Sequence, residues 1–137
     1  MSFMPYIHFD GTCEQAMAFY ATVFGSTDLQ LMRYSDAPAG TPDMPPTDRI
    51  MHSQLSANGG TLMASDYPPG MPAQTQTGFS VMTTPATVPE GQRLFDALQT
   101  GGVVIMPFGP TFWSPGFGMV KDRFGTHWII GAQPNPA

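Results

Sequence analysis

Charge is scarce in this chain. Asp, Glu, Lys and Arg make up 11% of its 137 residues, against roughly a quarter in an ordinary soluble domain. Cations are scarcest: five Lys plus Arg stand against ten Asp plus Glu, a net charge of −5. Such a surface has little to offer a phosphate backbone, so no nucleic-acid partner is expected. Cysteine occurs once, at Cys13, which excludes an internal disulfide and a cysteine zinc knuckle. No apolar run is long enough for a membrane-spanning helix. Residues 1–10 have neither a basic start nor an apolar stretch of signal-peptide length. A reducing, cytoplasmic setting is therefore expected, with no membrane partner.

Glycine and proline are plentiful, 15 of each, and predict many turns and short elements. Apolar residues are 42% and aromatics 12%, enough for a real core and too many for a disordered chain of this low net charge. Eleven Met make that core adaptable. The length fits one domain, or two small halves sharing a core.

Residues 6–10 are aromatic and β-branched, which suits a strand. Thr12 with Gln15 reads as a capping box. Ala16, Phe19, Tyr20, Val23 and Phe24 then form an apolar face, and Gly25 supplies a left-handed C-cap. The spacing predicts a helix over 13–24. Residues 29–34 read as a strand, and 35–48, with four Pro, a Gly and three Asp, as a long loop. Residues 50–57 and 61–65 are strands around the tight turn Asn58-Gly59-Gly60. Residues 66–76 are linker-like.

The pattern then restarts. Residues 78–83 alternate as a strand would. Thr87 with Glu90 is a second capping box, Leu94, Phe95, Ala97 and Leu98 form the stripe, and Gly101-Gly102 ends the helix. Strands follow at 103–106, 116–121 and 126–131. The two capping threonines are 75 apart (87 minus 12), and the two helix-ending glycines 76 apart (101 minus 25). The chain therefore reads as β-α-β-β-β repeated twice, over about 4–66 and 77–131, within one domain.

Several stretches carry a resemblance. They are Pro5-Tyr6-Ile7-His8-Phe9, Ala18-Phe19-Tyr20 with Phe24-Gly25, His52, Leu62-Met63-Ala64-Ser65-Asp66, Thr111-Phe112-Trp113, Gly116-Phe117-Gly118, and Asp122-Arg123-Phe124-Gly125 with Trp128. In order and spacing the chain resembles the vicinal oxygen chelate superfamily of glyoxalases, bleomycin- and fosfomycin-resistance proteins and extradiol dioxygenases. Within it the stretches look like the PhnB-like subfamily, also labelled 3-demethylubiquinone-9 3-methyltransferase. The resemblance implies an α+β fold in which two βαβββ modules pair into curved sheets around a cleft, and it implies a homodimer. Enzymes of the superfamily hold a divalent metal with His and Glu on four inner strands, two per module. Register from the motifs sets those positions near Pro5, Met63 or Ala64, Phe79 and Ile129, none of them a ligand. No metal is therefore expected. No glycine-rich strand-to-helix turn with a following acidic residue appears either, so no cofactor is expected.

The remaining chemistry rests on few residues. His8, His52 and His127 lie on three predicted strands. They either line the cleft without metal or converge as a displaced three-nitrogen site. His52 and His127 are the acid–base candidates. Tyr6, His8, Met63, Phe79, Trp113 and Phe117 are the ligand-lining candidates. Thr111-Phe112-Trp113 with Phe117 is either a stacking floor or a core or interface cluster. Asp66 reads as an Asx-turn first and a general base second. Asp122 and Arg123 read as exposed turn residues. Cys13 has no His beside it in sequence, which argues against a nucleophile. The expected function is binding of a small apolar or aromatic molecule in a metal-free cleft. The alternatives are a metal-dependent lyase or dioxygenase, and a non-catalytic sequestering protein of the drug-resistance kind.

Overall fold

A computed structural model describes residues 1–134. They form two compact units, residues 1–74 and the remainder from Thr75. Each unit is one helix and one open four-stranded mixed sheet, so the fold is α+β.

In the first unit the elements run β1 (Tyr6–Phe9), α1 (Cys13–Phe24), β2 (Gln30–Arg33), a short 3-10 turn (Tyr34–Asp36), β3 (Ile50–Ala57) and β4 (Gly60–Asp66). The sheet order is β1-β4-β3-β2, with β1 parallel to β4 and the other pairs antiparallel. The β3–β4 turn puts Asn58 and Gly59 at φ 52° and 83°, the positive pair a two-residue I′ turn demands. Alternation sorts the strands: Ile7, Phe9, Leu55, Leu62 and Ala64 are buried with α1, while Tyr6 and His8 face outward. The buried stripe of α1 is Cys13, Ala16, Met17, Tyr20 and Val23. Cys13 and Met17 thus take the places expected of Phe19 and Phe24, one residue-step round the helix.

The start of α1 corrects a second expectation. Thr12 makes no side-chain capping bond. The carboxylate of Asp66, at the end of β4 and 2% exposed, does that work from across the sheet. Its Oδ1 accepts from Gly11 N (2.9 Å) and Cys13 N (3.0 Å), and its Oδ2 from Ile50 N (2.9 Å). Asp66 is therefore neither an Asx-turn nor an accessible base. Gly25 at φ 68° ends the helix as expected, with Ser26 N returning to Ala21 O.

The second unit repeats the order: β5 (Val81–Thr83), α2 (Val88–Gln99), β6 (Val103–Gly109), β7 (Phe117–Lys121) and β8 (His127–Gly131). The sheet order is β5-β8-β7-β6, with β5 parallel to β8. The strand expected over 78–83 shortens to Val81–Thr83, so Phe79 precedes it. Thr87 does cap α2, accepting from Glu90 N, but the Glu90 carboxylate pairs with Arg93 instead of reaching back. Leu94, Phe95, Leu98, Val120, Trp128 and Ile130 fill the core. Asp122 is not exposed, as the turn reading expected: it is buried and accepts from Phe124 N, Thr126 N and Trp128 Nε1. Phe108 fits into a slot that only glycines leave open, since a Cβ on Gly91, Gly116 or Gly118 would come within 2.9 Å of it.

Candidate functional site

Strand alternation and register decide which polar groups meet on the outward face of the first sheet. Tyr6 stands opposite Met63, and Met63 opposite Gln54; His8 stands opposite Ser65, and His52 opposite Met32. All of these point away from α1, because their neighbours Ile7, Phe9, Ser53, Leu55, Leu62 and Ala64 are the buried set.

The side chains form two hydrogen-bonded sets that ring contacts join. The Tyr6 hydroxyl lies 2.9 Å from His52 Nδ1, and His52 Nε2 lies 3.2 Å from Gln54 Oε1. An amide oxygen only accepts. His52 Nε2 therefore carries the proton, and bare Nδ1 accepts from the Tyr6 hydroxyl. His8 Nδ1 is 3.2 Å from Ser65 Oγ. Ring contacts bind the group sideways: Tyr6 to His8 at 5.2 Å, Tyr6 to His52 at 5.6 Å and His8 to Tyr67 at 5.5 Å between centroids. Tyr34 lies at the margin. Its hydroxyl donates to Asp66 O (2.8 Å), and burial, then the Asp66 charge, pushes its phenol above the ordinary value.

The chemistry available here is proton transfer and hydrogen bonding. A hydroxyl, an imidazole and an orienting amide in series form the arrangement by which a base and its partner are held in reach of a substrate. Cys13 takes no part: it is buried on the helix side, bonded to Ser53, and desolvation first of all pushes its thiol up to about 12.

The other expected site residues belong to the second unit. Trp113 meets Phe117 edge-on at 5.2 Å and Phe112 at 4.8 Å. Phe112 is 97% exposed, so this aromatic cluster stands partly in solvent. Phe117, Met119 and Ile129 share the outward face of that sheet with half-buried His127, which pairs with Lys121. Phe79 is exposed, and Met82, not Phe79, stands opposite Ile129.

Of the ion positions that the resemblance implied, Met63 stands opposite Tyr6 and not Pro5, and Ile129 opposite Met82 and not Phe79. A phenol, two thioethers and a hydrocarbon are not a hard divalent-cation set. Among the described residues no three His, Cys, Asp or Glu side chains come together as ligands. The residues do not fit a metal.

Comparison with known proteins places this geometry. The family model described as 3-demethylubiquinone-9 3-methyltransferase matches residues 1–131. The chain belongs to that family, the PhnB-like one. It is 32% identical over 139 aligned residues to Protein YjdN of Escherichia coli (strain K12), covering 95% of this chain and 94% of that protein. It is similar to the crystal structure of protein PA1353 from Pseudomonas aeruginosa, with 37% identity, a TM-score of 0.86, and 97% and 98% of the two chains covered. It shares the fold of a glyoxalase/bleomycin resistance protein/dioxygenase family enzyme from Burkholderia phytofirmans, at 14% identity, TM-score 0.62, and 94% and 95% coverage. The family expected from the sequence is the one found, and the fold is the one expected of the superfamily. Among the described residues no helix is long and apolar enough to cross a membrane.

Sequence reasoning missed Gln54, Ser65 and Tyr67 as members of the polar group. Gln54 was within reach: it follows His52 by two in a strand, hence on the same face. Ser65 and Tyr67 needed the β1–β4 register, which lies far from either segment in sequence.

Proposed function

We propose that this member of the family binds a small aromatic or apolar molecule carrying one polar group, on the outward face of the first sheet. His52 serves acid–base chemistry there. The observation that carries the reading is the Tyr6–His52–Gln54 hydrogen-bond series on the side of the sheet away from α1. A polar series kept for folding stands where backbone groups need partners, as Asp66 does; this one satisfies only itself and remains open to a ligand. Met63 and Met32 offer apolar surface that adapts in shape. Tyr6 and Tyr67 offer ring faces for stacking. The reading needs no metal and no cofactor, and takes the protein to act in the cytoplasm as a homodimer.

Phenol and benzoate are suitable first probes, followed by carbon–proton correlation spectra of the His ring and Met methyl signals. Binding as proposed shifts His8, His52 and Met63 together. A titration that leaves all three unmoved refutes the reading. A different observation favours a second one: the outward side of the second sheet carries Phe117, Met119 and Ile129 beside exposed Trp113. A probe that moves Met119 and Trp113 alone, and is recovered unchanged, supports a sequestering role instead.

A further inference from the structure

We propose that Tyr6 is the catalytic group that exchanges a proton with the bound molecule, and that His52, oriented by Gln54, is its relay. The proposal rests on the reading above and changes which residue touches the substrate. Both ring nitrogens of His52 are engaged, Nδ1 by the Tyr6 hydroxyl and Nε2 by Gln54 Oε1, and the ring is half-buried. Tyr6 is 40% exposed. Its oxygen keeps a lone pair directed outward after donating to Nδ1. A ligand on this face meets the phenol oxygen before it meets the imidazole.

The proton inventory closes. A substrate O–H or C–H gives its proton to the Tyr6 oxygen while the phenolic proton passes to His52 Nδ1. The products are the substrate anion, an intact phenol and an imidazolium. That imidazolium needs no rearrangement: Nε2–H still faces Gln54 Oε1, and Nδ1–H now faces the Tyr6 oxygen, which accepts. Protonation therefore leaves every hydrogen bond of the series made, which is what a relay requires and what an imidazole between two donors could not provide. His8 stands beside Tyr6 at 5.2 Å with Nδ1 toward Ser65. Its Nε2 has no partner among the described residues and is placed to meet the oxygen on which substrate charge develops. The substrate class is a small molecule with an acidic O–H or C–H beside such an oxygen, an enolisable carbonyl compound or a phenol.

The relay is testable without the natural substrate, because a phenol that can pass its proton to a base is a better nucleophile. The probe is benzenesulfonyl fluoride. As the Tyr6 O–H breaks, its proton goes to His52 Nδ1. The phenolate oxygen bonds to sulfur, the S–F bond breaks and fluoride leaves with the pair; the imidazolium then returns its proton to water. Peptide mapping by mass spectrometry should find Tyr6 labelled faster than Tyr67, which makes no such bond. His52→Phe should slow Tyr6 labelling by about a hundredfold, the low end of what a positioned base provides. Gln54→Leu, which leaves the imidazole in place, should give a smaller loss. Tyr67 labelling should not change in either variant, which separates a lost relay from a disturbed fold. Equal labelling of Tyr6 and Tyr67 in the native protein overturns the relay, as does a Tyr6 rate indifferent to both substitutions. Fast Tyr6 labelling with no shift by phenol or benzoate leaves the relay standing and sinks the binding reading; the reverse pattern does the opposite.

Discussion

Asp66→Ala should be the most destabilising single change in the first unit among polar residues. The carboxylate accepts from three backbone N–H groups belonging to three segments: Gly11 before α1, Cys13 in its first turn and Ile50 at the start of β3. The bonds to Cys13 and Ile50 are buried, that to Gly11 partly so. An orphaned buried donor costs about 1–3 kcal/mol, so two full losses and one partial loss come to about 4 kcal/mol. That is a large part of the roughly 5–15 kcal/mol that holds a domain folded. Asp66→Asn keeps one acceptor and turns an amide donor on an N–H, for about 2 kcal/mol. Urea unfolding followed by circular dichroism reads both. With a slope of about 1–3 kcal/mol per molar for a small protein, the Ala variant's midpoint should fall by roughly 2 M. Asp10→Ala is the control, since its pair with Arg49 is exposed and worth less than about 1 kcal/mol. A midpoint for Asp66→Ala within about 0.5 M of the parent, at unchanged slope, would refute the structural role. A rise in stability would refute it more sharply, because removing a strained functional group commonly stabilises.

Three further outcomes follow from the packing. Gly118→Ala should cost about 3 kcal/mol, the upper end of overpacking, because its Cβ would sit 2.8 Å from the Phe95 ring and 2.9 Å from the Phe108 Cα; a thermal midpoint within a degree of the parent would contradict this. Gly102→Ala should cost more, since the obstacle is the Lys121 carbonyl oxygen and backbone cannot rotate aside; its soluble yield and melting curve check the ranking. Cys13 predicts an alkaline loss of stability: the thiol keeps its proton to about 12 in the fold but begins to lose it from 9.0 when unfolded. Between those values the unfolded state binds fewer protons, so stability falls as pH rises and is unaffected below that window. Subtracting the profile of Cys13→Ala isolates this limb, and a flat difference from pH 9 to 11 would overturn it.

Local signals carried most of the fold. Helix α1 begins and ends where its apolar spacing and Gly25 placed it, and β3 spans Ile50–Ala57 as expected. Those features depend on neighbours within a few residues. What failed depended on distance. Thr12 with Gln15 has the spacing of a capping box, yet a carboxylate from β4 supplies the cap. A capping box is read from four residues, and nothing in them reveals a better acceptor some fifty positions on. Asp122 failed in the same way, its burial decided by the Trp128 indole that it holds. Of the polar group, Tyr6, His8 and His52 were visible as residues able to do chemistry. Their meeting was not, because it hangs on which residue of β4 stands beside which residue of β1.

The two units also explain where chemistry can and cannot reside. The same closing bond ends each parallel pair, Tyr67 N to Phe9 O in the first and Gln133 N to Pro85 O in the second. Stepping back along the strands from those bonds sets Tyr6 level with Met82, Met63 with Ile129, and Gln54 with Met119. On the next rung His52 is level with Phe117 and Ser65 with Gly131. The buried rungs between keep their character: Leu62 corresponds to Trp128 and Ala64 to Ile130, all within the core. The two copies of one topology therefore share these buried rungs and part on the outward face. The phenol, imidazole and amide of the first are thioether, benzyl and thioether in the second. Burial constrains the interior of a module through packing, whereas the outward face is free to vary. A proton relay needs all three of its members at once, so it is confined to the first unit, and the matching rungs of the second can offer a ligand only apolar surface.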